Sequence, residues 1–128
     1  MAIYRIVTRM GQESDCFLEA NSEDEAKQEF SKKNGWSLGE FSVTLTSFAR
    51  PDEKKLYLVG LAPRHIGHGA GRHVIYFAVQ AVKGGRAVSE VMTKEAGRHG
   101  TYDTLADVKY VGRIDPNGED IVKVLNSD

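Results

Sequence analysis

His73-Val74-Ile75-Tyr76-Phe77-Ala78-Val79-Gln80-Ala81-Val82, followed by Lys83-Gly84-Gly85, holds the longest apolar run of the 128-residue chain, and the fold turns on whether it is a helix or a strand. At helical spacing, Val74, Ile75, Phe77, Ala78, Ala81 and Val82 make a broad apolar face and the glycine pair supplies a stop, which predicts a helix over 73–82. Downstream, Val88, Val91, Met92 and Ala96 keep helical spacing as far as Gly97, and a third helix is predicted over 102–110. Residues 111–114 and 120–125 then read as a hairpin around Asp115-Pro116-Asn117-Gly118, where Asn-Gly supplies the positive φ angles of a tight turn.

Upstream the pattern changes. Residues 3–8 and 15–20 alternate as strands joined by a glycine-containing turn, with Cys16, Leu18 and Ala20 on one face. Ser22 followed by Glu25 is a capping box, acids fill the first turn, Ala26 and Phe30 face one way, and Asn34-Gly35 ends the helix. Trp36 is expected to pack where the helix exits. Residues 41–46 alternate with Phe41, Val43 and Leu45 inward, and 56–61 is almost continuously apolar, as a strand buried on both faces would be. The expected architecture is therefore α+β: a ββαββ half over 1–62, then a helical, winged-helix-like half with a C-terminal hairpin over 63–128, with one core shared or two. No internal repeat is legible.

Composition narrows the function classes. Hydrophobic residues at 41% and charged residues at 27% are those of a folded domain, which argues against wholesale disorder. The single cysteine, Cys16, excludes an internal disulfide framework and reads as a small buried apolar residue. The N-terminus lacks a signal-peptide pattern and the run 74–79 is too short to span a bilayer, so a cytoplasmic protein is expected. Residues 64–113 carry eight Lys/Arg against four Asp/Glu and contain all four histidines, so a polyanion would meet that stretch. His65, His68 and His73 are irregularly spaced with no cysteine or acid to complete a set, and no metal site is expected. Asp103 and Asp107 stand a helical turn apart on the predicted third helix, as exposed helix acids commonly do, and no catalytic residue is assigned.

Between the buried strand and the run quoted first lies Arg64-His65-Ile66-Gly67-His68-Gly69-Ala70-Gly71-Arg72. Alternate glycines let backbone amides approach a ligand, and a helix N-terminus with two arginines would favour an anion there. Pro63, the glycines and the apolar segment after them resemble the acetyl-CoA-binding motif of the GNAT acyltransferases. That resemblance implies a pyrophosphate held by Gly67, Gly69, Gly71 and Arg72, with acetyl-CoA as cofactor. Residues 72–125, three short helices and a hairpin, resemble the winged helix-turn-helix pattern. That resemblance implies backbone contacts from Lys109 and Arg113 and base-edge contacts from Thr101, Tyr102 and Thr104. Asp103 and Asp107 would repel phosphate, so the same fold also suits a protein partner. The ββαβ opening is reminiscent of accessory proteins of phages and mobile elements, many of which bind a host protein or nucleoprotein.

The leading expectation is a non-enzymatic binding protein that contacts a nucleic acid, a nucleoprotein or a host protein through Arg64, Arg72, Arg86, Lys94, Arg98, Lys109 and Arg113. The alternative is a GNAT-type acyltransferase using acetyl-CoA.

Overall fold

The computed structural model describes residues 1–63, 73–98 and 100–112. Its elements, in chain order, are β1 (Ala2–Thr8), β2 (Gly11–Ala20), α1 (Glu23–Asn34), a 3-10 turn at Leu38–Glu40, β3 (Phe41–Leu45), β4 (Lys55–Pro63), β5 (Ile75–Ala81), α2 (Gly84–Lys94) and β6 (Tyr102–Gly112). They form two three-stranded antiparallel sheets, in the orders β2-β1-β3 and β5-β4-β6. Each sheet is built the same way: a central strand, a hairpin partner, a helix, and a third strand returning to the free side of the centre.

The match extends to residues. On the first central strand, Tyr4 pairs with Leu18 and Leu45; on the second, Tyr57 pairs with Val79 and Tyr110. Ala20, Ala26 and Phe30 recur at the same mutual spacing as Ala81, Ala87 and Val91, and all six are buried. Small alanines at the strand end and on the helix let each helix lie close to its sheet. The described residues thus form two ββαβ units, a structural repeat.

The local reasons are conventional in the first unit. The Ser22 hydroxyl accepts from the Glu25 amide at 3.1 Å, and Gly35 takes the left-handed conformation (φ 72°) that ends α1. α1 covers Tyr4, Ile6, Leu18 and Val43 with Ala26 and Phe30, and Trp36 packs against the same cluster. Phe41 is buried as expected, whereas Leu45 is 62% exposed. β4 is buried along nearly its whole length, as its unbroken apolar run implies.

The second unit corrects the helical, winged-helix-like half. Residues 75–81 are strand β5, not a helix: Phe77, Val79 and Ala81 pack toward α2, while Ala78 and Gln80 on the other face are exposed. The run satisfies a period of two as well as a helical one, and its β-branched and aromatic side chains suit a pleated surface. Gly84 and Gly85 do not end a helix; they begin α2. A Cβ on Gly84 would lie 1.8 Å from the Gln12 carbonyl oxygen, so only glycine lets α2 start hard against β2. The predicted third helix over 102–110 is strand β6. Its pairing with β4 shifts register between Gly60 and Leu61 and again between Ala62 and Pro63. These irregularities put Tyr102, Leu105 and Val108 on one core although they are three residues apart, a spacing that imitates a helix. The helical spacing of Val88, Val91 and Met92 falls within α2, which ends at Lys94, before Ala96. Of the expected hairpin, Val111 and Gly112 belong to β6, and the turn and wing lie outside the described residues. No helix among the described residues is long and apolar enough to cross a membrane.

The units are joined by a buried polar centre. Asp15 on β2, 2% exposed, accepts from Arg5 Nε at 3.1 Å, from the Tyr57 hydroxyl at 2.7 Å and from the Gly84 amide. Lys83, the residue capping α2, offers no side-chain bond, so a carboxylate from the other unit takes that place. The Gln12 side chain also accepts from the Tyr110 amide. Aromatic rings close the joint: Phe17 meets Phe48 edge-on at 5.8 Å and Tyr110 at 6.0 Å, and Arg5 lies over the Tyr110 ring at 3.8 Å.

Candidate partner-binding groove

α2 presents two sides. Ala87 and Val91 face the sheet and are buried, and Val88 and Met92 pack beside them. Arg86, Glu90 and Lys94, one turn apart in succession, lie on the outer side with Ser89 and Thr93. Between that side and the end of β5 runs a groove of about 400 Å³, completed by Lys54, Gln80 and Val82. A smaller cleft of about 170 Å³ shares Glu90 and Lys94 and continues along β5 past Phe77, Val79, Val91 and Glu95. Glu90 and Lys94 form the rim common to both: the smaller cleft has an apolar floor of Phe77, Val79 and Val91, and the larger is lined mainly by polar and charged side chains. Lys94 Nζ donates to Glu90 Oε1 at 2.7 Å, so the rim is partly neutralised within itself.

Of the seven cationic residues expected to act together, Arg86 and Lys94 share this groove. Arg98 is exposed in the turn after α2, its amide donating to the Glu95 carbonyl. Lys109 is on the face of the second sheet turned away from α2, paired with Asp107 at 3.8 Å and 4.7 Å from the Tyr76 ring centre. Arg64, Arg72 and Arg113 lie outside the described residues, as do the alternative anion-binding residues Gly67, Gly69 and Gly71. Residues 73–81, which were to supply a helix N-terminus behind those glycines, form coil and strand instead. The recognition-helix contacts are likewise replaced: Tyr102 packs in the core against α2, and Thr101 and Thr104 are exposed at and beside the start of β6.

Ionisable groups elsewhere are engaged structurally. Tyr76 donates to Asp107 at 2.8 Å, and desolvation with that hydrogen bond raises its pKa. Burial, followed by the Asp15 charge, pushes the Cys16 thiol up and keeps it protonated. Lys55 is fully buried, donates to the Pro51 and Val82 carbonyls at 2.6 and 3.1 Å, and sits 3.7 Å above the Phe17 ring. Burial lowers its pKa, and the Asp15 charge opposes that. Among the described residues no group of three His, Cys, Asp or Glu side chains is placed to hold a metal ion.

Sequence reasoning missed Lys54 as a neighbour of Arg86, because the two meet only once β4 and α2 are packed. It also missed Asp15, whose sequence neighbours give no sign that it caps a helix in the other unit. Comparison of the chain with protein-family models, curated proteins and solved structures finds no match.

Proposed function

We propose that the protein is a non-enzymatic binding protein that takes a protein partner in the groove between α2 and β5. The observation that carries this reading is the make-up of two adjoining clefts: Phe77, Val79 and Val91 floor the smaller, and cations (Lys54, Arg86, Lys94) and acids (Glu90, Glu95) stand around the pair. Protein interfaces combine an apolar centre with a polar rim. A surface built for phosphate would instead gather unpaired cations, and acids beside it would repel the backbone.

The test uses the whole chain as bait in the native cell's extract, at low and high salt, beside a Lys54→Glu/Arg86→Glu variant. A protein that stays bound at high salt to the natural chain and is lost from the variant supports the reading. A second reading, nucleic-acid binding, is favoured by the nearness of Lys54, Arg86 and Lys94 in one groove. It predicts binding to mixed-sequence DNA or RNA that falls steeply as salt rises.

A further inference from the structure

A second cavity lies at the joint of the two units, away from the groove. It measures about 270 Å³ and is lined by Arg5, Thr44, Leu45 and Thr46 with Phe48 on one side and Tyr110, Val111 and Gly112 on the other. Three observations bear on what it would accept. First, Arg5 uses Nε on Asp15, while its Nη2 is buried without a hydrogen-bond partner among the described residues. A desolvated guanidinium nitrogen left unsatisfied is costly unless an acceptor completes it. Second, Asp15, the one buried carboxylate among the described residues, is shared by Arg5 with the Tyr57 hydroxyl and the Gly84 amide. Third, the walls combine aromatic rings with hydroxyls: Phe48 and Tyr110 line the cavity with Thr44, Thr46 and Ser47, Arg5 lies over the Tyr110 ring, and the exposed Leu45 and Val111 stand at the rim.

We infer that this cavity is a binding site for a carboxylate carried on a compact apolar body, with the Arg5 guanidinium as its anchor. A planar carboxylate suits the guanidinium fork, and the aromatic walls would cover the apolar body. Sites of this kind, a few polar groups in an apolar cleft between folding units, are where small ligands commonly bind. The same chemistry is offered by a free small acid and by the C-terminal residue of a peptide.

The test is a binding titration of the full chain with benzoate and phenylacetate against benzamide and benzyl alcohol, read by thermal shift and by NMR shifts at Arg5 and Tyr110. The acids are expected to raise the melting temperature and to move both signals, and the neutral analogues to do neither. Acetyl-Phe-Leu with a free C-terminus, compared with its amide, separates the sources; tighter binding than benzoate assigns the site to chain ends, weaker binding to small acids. Arg5→Gln is expected to abolish the response, but it also removes a partner of Asp15. Leu45→Glu, an exposed change at the rim, is therefore the deciding variant: it should weaken acid binding roughly tenfold while the protein stays folded. No response to the acids, an equal response to the neutral analogues, or acid binding unchanged in Leu45→Glu would overturn the inference.

Discussion

Asp15 shows how one residue can determine an arrangement of elements. Its carboxylate receives three donors from three elements, and each would be left with a desolvated polar group if it were removed. Asp15→Ala is expected to cost about 3–5 kcal/mol in urea denaturation, the range for breaking a buried, hydrogen-bonded charge pair. Gly84→Ala should destabilise by about 1–3 kcal/mol, because its Cβ meets the Gln12 backbone rather than a movable side chain. Tyr57 gives a pH signature. Desolvation, then its bond to Asp15, holds its hydroxyl far above the ordinary value of 10.0. Above that value the unfolded chain releases the proton and the folded chain keeps it, so the unfolded state binds fewer protons and stability falls as pH rises. The stability gap between the natural protein and Tyr57→Phe should therefore be constant below pH 10 and narrow above it, measured by denaturation at successive pH values. None of this was legible in Asp15-Cys16-Phe17, which reads only as part of a strand.

At the scale of elements, what could be read from sequence was what local chemistry alone decides. Ser22, Glu25 and Asn34-Gly35 are start and stop signals acting within a few residues, and α1 lies between them as expected. The unbroken apolar run of β4 likewise announces burial on both faces. β5 and β6 were misread because their patterns satisfy two periods at once. In β5 the exposed face is Ala78 and Gln80, too weakly polar to reveal alternation; in β6 the irregular pairing sets core residues three apart. Gly84-Gly85 reads locally as a stop because the reason for it, the Gln12 carbonyl, is far away in sequence. Amide hydrogen exchange should show protection across Tyr57–Leu61 and its partners in β5 and β6, with slow exchange alternating along β5 as in a strand paired on one side. Val91→Ala, which opens the α2 contact, should cost about 2 kcal/mol by the same denaturation assay.

At the scale of the molecule, the repeat is a matter of topology and of small residues in matching places, which explains why no repeat is visible in the letters. Tyr4, Ala20 and Ala26 correspond to Tyr57, Ala81 and Ala87, but between them the side chains differ. The first unit turns Arg5, Asp15 and Phe17 toward its neighbour, and in the second the outer side of α2 lines the groove. The cationic cluster legible in the sequence is divided by this architecture: Arg86 and Lys94 share one groove, and Lys109 faces away, beside an acid. Reversing charge at Lys54 and Arg86 together should weaken partner binding by about ten- to a hundredfold while leaving the melting temperature within a few degrees, since both side chains are exposed.

Groove occupancy is read most directly by a photo-cross-linking side chain placed at Thr93, in the groove, and separately at Gln28, exposed on α1. Irradiation in the native cell should yield a discrete protein adduct from position 93 and none from position 28. An adduct with nucleic acid at position 93, or a protein adduct at position 28 alone, would contradict a protein-binding groove between α2 and β5.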